Sequence, residues 1–341
     1  MKHIGRNMKR ILAFSLVLLP VLTGCRKDLC YTHDEHSISV KTDVVATWEC
    51  EWERNHGTDW SENWPHCTCG YDDLRPEPAD GIRAIVYDEG GAYTQNNLSA
   101  EGGRLPMTEG KHSLLFYNND TEYIVFEDLP SYATASATTR TRSRGSFEEL
   151  HAGERTVSEP DMLFGSYTKD YEARRALKPV ELPVTMHPLT FTYVIRYEFS
   201  NGLQYVALAR GALAGMAESV YLQDGHTDDR AATILYEEAA ITDYGVEAHV
   251  KTFGVPNYPG DGYGSRADQP YSLNLEVRLR NGKYKTFEFD ITDQVENQPR
   301  GGVITVSGLE ISDEEGTEGS GGFDPDVDDW GDEIDIELPL D

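Results

Sequence analysis

Apolar and polar residues alternate along much of this chain, and the alternation predicts β-strands. Near the start of the pattern, Val44 and Trp48 share one face with other apolar residues, whereas Asp43 and Thr47 lie on the opposite face. A period of two is typical of a half-buried strand, because successive side chains of a strand point to opposite sides. Helical periodicity is scarce, so the pattern favours an all-β protein.

Two stretches predict hairpins. In SLNLEVRLRNGKYKTFEFDIT (272–292), four apolar residues share one face and Asn281-Gly282 supplies a type I′ turn. The apolar residues are Leu273, Leu275, Val277 and Leu279. The phase shifts between Tyr284 and Phe287, which predicts a β-bulge. In SLLFYNNDTEYIVF (113–126), two apolar runs flank a polar turn and predict a second hairpin.

Residues 131–161 differ from their surroundings because they contain few large apolar side chains and many Ser, Thr and Ala residues. This composition predicts a long mobile surface loop, with Arg140, Arg142 and Arg144 exposed to solvent. Prolines at 179, 183 and 188 then indicate a domain junction near residue 180. We therefore predict one β-sandwich domain over 25–180 and a second over 181–312.

The amino terminus has the features of a bacterial lipoprotein signal peptide. Basic residues precede an apolar run, Ile11–Leu22, that is too short to span a bilayer. The run leads into Leu22-Thr23-Gly24-Cys25, the form of a lipobox, so residues 1–24 are expected to be removed and Cys25 to carry the lipid. Arg26 favours sorting to the outer membrane. The alternative is an ordinary secretion signal followed by a structural cysteine.

Residues 313–341 form an acidic tail with thirteen Asp and Glu residues and no Lys or Arg. Near its end, apolar and polar residues alternate, which predicts a short strand. The apolar positions are Ile334, Ile336, Leu338 and Leu340. Pro339 lacks an N–H and restricts this strand to an edge position, and the Gly-rich segment 314–322 is expected to act as a tether. The strand either folds back onto the second domain or is donated to a neighbouring subunit by β-augmentation.

Charge and motifs exclude several functions. The net charge of -29 argues against nucleic-acid binding, which requires Lys and Arg to neutralise phosphates. Sequence motifs for hydrolases, metalloproteases and phosphate loops are missing, so we predict no enzyme, cofactor or metal. The cysteines left after lipidation are Cys30, Cys50, Cys67 and Cys69, which allow three disulfide pairings. The C-x-C spacing at Cys67 does not fit a common zinc site.

Four of the five tryptophans fall between residues 48 and 64. Trp48 and Trp52 share the inward phase of a strand and are expected to pack in the core. Trp60 and Trp64 lie in the following loop and are candidates for a glycan-stacking platform. The sequence therefore leaves a second hypothesis open, in which the chain is a surface glycan-binding lipoprotein that serves nutrient capture.

Several stretches resemble the fimbrillin-like lipoproteins of Bacteroidales, which include anchor and accessory subunits of the FimB type. They are GALAGMAESVYLQDG (211–225), ATILYEEA, TFGVP, YSLNLEVRLRNGKYKTFEFDITDQV, NNDTEYIVFEDL and the ending GGFDPDVDDWGDEIDIEL. The resemblance covers nearly the whole mature chain and rests on structural rather than catalytic motifs. It therefore specifies the fold better than an activity.

The resemblance implies two tandem transthyretin-like β-sandwich domains and a role in fimbriae or surface adhesion. Polymerising members lose their first strand when a protease cuts after an Arg. Here the Arg-rich stretch lies far from the amino terminus, so the resemblance implies an anchor or accessory subunit that keeps its lipid. The expected partners are the outer membrane, through the lipid, and other fimbrial subunits.

Overall fold

The structure is a computed structural model that describes residues 38–50, 75–143, 153–237, 239–260, 270–317 and 334–336. It confirms the predicted all-β class. The first strands in chain order are β1 (Ser39–Val40), β2 (Thr42–Trp48), β3 (Gly81–Asp88), β4 (Tyr93–Ser99), β5 (Gly102–Leu105), β6 (Gly110–Asn118), β7 (Ile124–Glu127), β8 (Ser136–Thr139), β9 (Thr141–Ser143), β10 (Arg155–Ser158), β11 (Phe164–Ala173) and β12 (Arg175–Ala176).

The remaining elements follow in the same order. They are β13 (Val180–Pro188), β14 (Phe191–Asn201), a 3₁₀ turn (Leu203–Tyr205), β15 (Val206–Ala217), β16 (Ser219–Tyr221), β17 (Ala231–Tyr236), β18 (Ala240–Ile241), β19 (Gly245–Thr252), β20 (Ser272–Leu279), β21 (Tyr284–Asp290), α1 (Thr292–Glu296), β22 (Gly302–Glu310), α2 (Asp313–Thr317) and β23 (Ile334–Ile336). Among the described residues, no helix has the length and apolar character needed to cross a membrane.

Seven strands close into a barrel in the order β11-β13-β2-β5-β4-β3-β6. Along β13, the apolar residues Leu182, Val184 and Met186 point inward, and the residues between them are exposed. The barrel core also holds Phe164, whose ring meets Trp48 edge-on at 5.0 Å between ring centroids. Closure leaves this sheet without an edge, since every strand has two neighbours.

The later strands form two sheets that face each other. One has the order β21-β20-β15-β17-β10-β9-β23, and the other has the order β18-β19-β14-β22. Their shared core contains the fully buried Tyr193, Tyr197 and Tyr271. The Tyr197 and Tyr236 hydroxyls bond to each other, which satisfies two polar groups that burial would otherwise leave without partners.

The predicted domain boundary remains a prediction, and strand pairing crosses it in both directions. β13 begins at the predicted junction near residue 180 but pairs in parallel with β2 of the barrel. Conversely, β9 and β10 precede residue 180 but belong to the seven-stranded sheet, where β10 pairs in parallel with β17. The chain therefore passes from the barrel to the sheets and back before it enters β14.

The hairpin predicted over residues 272–292 is confirmed, but its bulge is wrong. β20 and β21 pair antiparallel without a register shift, and Gly282 adopts φ +86° in the turn. The change of phase has another cause. Lys285 takes an inward position of β21 beside Phe287, and its ammonium reaches the Glu315 carboxylate, while Tyr284 points to solvent.

The hairpin predicted over residues 113–126 is wrong. β6 ends at Asn118 and pairs only within the barrel, whereas β7 pairs with β8 in a separate sheet, β16-β8-β7. The buried Asn118 amide explains the separation. It donates to Asp120 at 2.7 Å and accepts from the Phe164 N–H at 2.7 Å, so it binds the chain to the start of β11.

The mobile loop predicted over residues 131–161 is also wrong where the structure describes it. This stretch contains β8, β9 and β10, and the four residues of β8 are all buried. Small Ser, Thr and Ala side chains can occupy such a strand because Thr138 donates its hydroxyl to the Glu218 carbonyl at 2.8 Å. Arg142 is half-buried rather than solvent-exposed.

The acidic tail starts as a docked turn rather than a free tether. In α2, Gly316 packs against the Tyr205 ring, and Glu315 accepts from Lys285 Nζ at 2.7 Å and from the Ser312 N–H at 2.8 Å. These donors, Lys285 first, lower the pKa of the Glu315 carboxyl to about 2. The acidic segment that follows β22 thus begins with the anchored turn α2.

A Lys285→Met variant is expected to raise the pKa of Glu315 from about 2 towards its ordinary value of 4.5, because the main donor is lost. A lowered pKa stabilises the folded state above the unfolded pKa, and this contribution is lost as the pH falls through about 2. A carboxyl-carbon NMR titration of Glu315 measures the shift. Lys283→Met, two residues before Lys285, is the matched control and should leave the Glu315 titration unchanged.

Candidate functional site

The outer edge of the seven-stranded sheet is the candidate functional site. β9 pairs with β10 in antiparallel register at one residue pair, Val157 and Thr141. On its other side β9 pairs antiparallel with β23, so that Ile334 lies opposite Ser143 and Ile336 lies opposite Thr141. An edge strand presents free N–H and C=O groups and is a template for added strands. Here the end of the same chain takes that position.

The half-buried Arg155 holds the β9 edge in place. Its Nε donates to Thr141 Oγ1 at 2.6 Å and its Nη2 donates to the Thr139 carbonyl at 3.0 Å. Its Nη1 donates to the carboxylate of Glu218 at 3.0 Å. A planar guanidinium suits this role because its donors form a fixed fork. Arg155 therefore connects β9 with the end of β8 and with Glu218, the residue before β16.

A cavity of about 760 Å³ lies beside this edge, between the two facing sheets. Its lining comes from β9, from the residues after β10, from the end of β17 and from β19. The lining residues with ionisable side chains are Arg142, Glu159, Asp161, Glu237, Glu247, His249 and Lys251. Acidic groups outnumber Lys and Arg by four to two in this set, so the cavity is polar and its surplus charge is negative.

Protein donors engage these carboxylates. Lys251 Nζ donates to Glu159 at 3.0 Å, and Arg142 lies 3.8 Å from Glu237. The buried Glu247 carboxylate contacts His249 and accepts from the Tyr244 hydroxyl. Burial, followed by this contact with Glu247, raises the pKa of Tyr244. The network stabilises the walls beside β9, and it assembles no metal-binding cluster within the described residues.

The structure places two of the predicted site residues at this edge. Ile334 and Ile336 form β23. The other predicted site residues lie outside the described residues: Cys25, Trp60, Trp64, Leu338 and Leu340. Cys30, Cys67 and Cys69 are also outside, whereas the Cys50 thiol is free and half-buried, and burial raises its pKa. The donor-strand, lipid and glycan assignments remain predictions.

Sequence reasoning missed Arg155 and the cavity. No local motif marks Arg155, because its four acceptors come from residues 138, 139, 141 and 218. A weak signal was present in SATTRTRS (136–143), where Thr residues with high β-propensity follow one another. The absence of large apolar residues concealed that signal.

Comparisons with known proteins show which proteins this chain is similar to. A family model described as a domain of unknown function (DUF5119) matches residues 71–237. A protein of Bacteroides ovatus described as a fimbrium anchoring subunit, Fim4B, is 25% identical over 235 residues. The alignment covers 68% of this chain and spans 61% of the length of that relative. The chain is thus similar to a protein described as a fimbrium anchoring subunit, and it spans about three fifths of that relative's length.

One solved structure agrees with this chain in its fold. A crystal structure described as that of an adhesin from Bacteroides ovatus superposes with a TM-score of 0.57 at 19% identity. The superposition covers 85% of this chain and 97% of that one. The fimbrial anchor protein Mfa2 from Porphyromonas gingivalis aligns with a TM-score of 0.44 at 12% identity, over 78% of this chain and 90% of that one. The adhesin structure thus shares the all-β architecture.

Proposed function

We propose that this chain is a non-enzymatic cell-surface lipoprotein that serves as a fimbrial anchor or accessory subunit, or as an adhesin. The observation that carries the proposal is the 235-residue similarity to a protein described as a fimbrium anchoring subunit. The architecture shared with an adhesin structure is consistent with it. Other fimbrial subunits are the proposed partners, and the cell surface is the proposed location.

The proposed means of contact is strand addition at a sheet edge. β23 is only three residues long, and β9 beside it has only one residue pair in register with β10. A short strand on a short strand makes few hydrogen bonds, so a partner can replace it without unfolding the sheets. In this proposal β23 leaves β9 and pairs with the edge of a fimbrial subunit. Its alternating Ile334 and Ile336 set the register there.

The proposed attachment is a lipid on Cys25 in the outer membrane. Ile38, the first described residue, follows Cys25 by thirteen positions. A fully extended chain of that length reaches at most about 45 Å, so the barrel would stay close to the membrane surface. Labelled palmitate should appear on the wild-type protein and be lost in Cys25→Ala. Label that persists in Cys25→Ala would contradict the assignment.

Co-purification tests the role of the terminal strand. Full-length protein is expected to co-purify with fimbrial subunits from the cell envelope, and an Ile334→Asp, Ile336→Asp variant is expected to lose them. Aspartate disfavours β-structure and removes the apolar face that sets register. Asp335→Asn is the matched control, because it changes the same strand but keeps both isoleucines.

A shortened chain separates folding from binding. The cut belongs after Thr317, because α2 is docked on Tyr205 and Lys285. This variant should keep the thermal transition of the full chain and lose its partners. Unfolding of the variant, or unchanged recovery of fimbrial subunits, would contradict donation by the terminal strand.

A further inference from the structure

A second cavity, of about 580 Å³, lies where the barrel meets the later sheets. The barrel side contributes Glu49, Ser166 and His187, and the other side contributes the turn at 222–225 and Arg300. The volume is within the range of about 300–1,000 Å³ that small-molecule sites occupy. Because it lies away from the β9 edge and shares no lining residue with the first cavity, its role is separate from strand addition.

Arg300 offers hydrogen-bond donors to this cavity. Its guanidinium carbon lies 5.1 Å from the ring centroid of Phe191 and 4.6 Å from that of Tyr258, so aromatic rings hold its plane. Its Nη2 donates to the Gly225 carbonyl at 2.8 Å. The described residues supply no further acceptor to this guanidinium, which carries five N–H donors. Donors therefore remain for a ligand.

Two carboxylates in the same lining offer acceptors. Glu49 uses Oε2 to bind His187 Nδ1 at 2.6 Å. Asp224 uses Oδ1 to accept the His226 N–H at 3.1 Å and to contact the His226 ring. Among the described residues, no donor is directed at Glu49 Oε1 or at Asp224 Oδ2. Each carboxylate is thus oriented through one oxygen and open through the other.

This combination indicates the chemical class of the ligand. Two carboxylates against one guanidinium disfavour an anion, and the polar walls disfavour an apolar molecule. Hydroxyl groups fit, because each can donate to a carboxylate and accept from a guanidinium. We propose that this cavity binds a neutral saccharide, whose hydroxyls donate to Glu49 Oε1 and Asp224 Oδ2 and accept from Arg300.

The proposal uses neither Trp60 nor Trp64, and it is independent of the proposed fimbrial role. Loss of partner subunits in the β23 variants would leave saccharide binding intact. Loss of saccharide binding in the cavity variants would leave co-purification of fimbrial subunits intact. Failure of one proposal is therefore distinguishable from failure of the other.

Calorimetry and saturation-transfer NMR on the full chain test the proposal. The probes are neutral gluco-, galacto- and manno-configured oligosaccharides, with glucuronate and inorganic phosphate as anionic comparisons. At least one neutral probe is expected to bind. Asp224→Asn, at an exposed position, and Arg300→Gln are each expected to weaken it about tenfold or more, since each removes a charge-assisted hydrogen bond. Asp243→Asn, an exposed carboxylate outside the cavity, should leave the affinity unchanged.

Three results would overturn the proposal. They are the absence of binding by every neutral probe, binding by the anionic probes alone, and neutral-probe binding that Asp224→Asn leaves unchanged. The Asp224 variant keeps the test valid if Arg300→Gln fails to fold, because Arg300 also packs on Phe191 and Tyr258. A thermal melt of each variant identifies that case.

Discussion

An Arg155→Met variant is expected to lose about 3 kcal/mol of its free energy of unfolding, because breaking this largely buried ion pair leaves the Glu218 charge poorly compensated. Methionine keeps much of the apolar stem but removes every hydrogen bond of the guanidinium. Among the described residues, the Glu218 carboxylate, whose side chain is 10% exposed, then keeps Arg230 at 3.5 Å as its one charged partner. Urea denaturation of both proteins gives the difference.

The matched control is Arg174→Met, which removes an arginine paired with Glu172 on the open surface. Exposed ion pairs contribute little, so this variant should unfold at the wild-type urea concentration. The Arg155 variant should also show faster amide exchange in β9 and β10, because its contacts connect those strands. Equal stability of the two variants would mean that Arg155 does not hold the edge in place.

Gly211→Ala is expected to be the second large effect, with a loss of about 3 kcal/mol in the free energy of unfolding. Gly211 lies in the middle of β15, and a Cβ there would collide with the Asn274 carbonyl oxygen and with the Tyr236 hydroxyl. The Asn274 carbonyl belongs to the paired backbone of β20 and cannot turn away. Tyr236 is fixed by its bond to Tyr197.

Gly90→Ala is the matched control for that substitution. Gly90 lies in an exposed turn, where a Cβ would approach only the Asp88 carboxylate, at 3.3 Å. Its thermal midpoint should match that of the wild type. A Gly211→Ala protein with the same midpoint would show that β15 and β20 can separate at low cost, contrary to the packing described above.

The sequence predicted those elements whose information is local. β20 and β21 were predictable because alternating leucines and valines flank an Asn-Gly turn, and both signals lie within 21 residues. β13 shows the same kind of alternation, with Leu182, Val184 and Met186 buried. Large apolar side chains on one face determine register, so a period-two pattern specifies both the strand and its buried side.

The candidate site was less predictable because its information is not local. β8, β9 and β10 carry small polar residues, and their burial depends on hydrogen bonds to partners far along the chain, such as Thr138 with Glu218. The terminal strand was visible in the sequence, but its pairing with β9 was not. A three-residue pattern such as Ile-Asp-Ile predicts a short edge strand, but it does not specify which strand it pairs with.

β9 and β23 are the two short strands at the edge of the seven-stranded sheet. The barrel has no open edge, and α2 anchors the chain before the terminal segment. The β9 edge is therefore one place where the described main chain pairs with an added strand. The hydrogen bonds of Arg155 hold β9 in position there. The proposed strand donation confines partner exchange to β9 and β23 and leaves the barrel and the sheets intact.

A photo-reactive amino acid at position 336 in cells that assemble fimbriae tests the account most directly. Mass spectrometry of the adducts identifies what lies against the terminal strand. The account predicts a cross-link between position 336 and a sheet-edge peptide of another fimbrial subunit. Cross-links found only to residues 141–143 of the same chain would contradict donation and assign β23 a purely internal role.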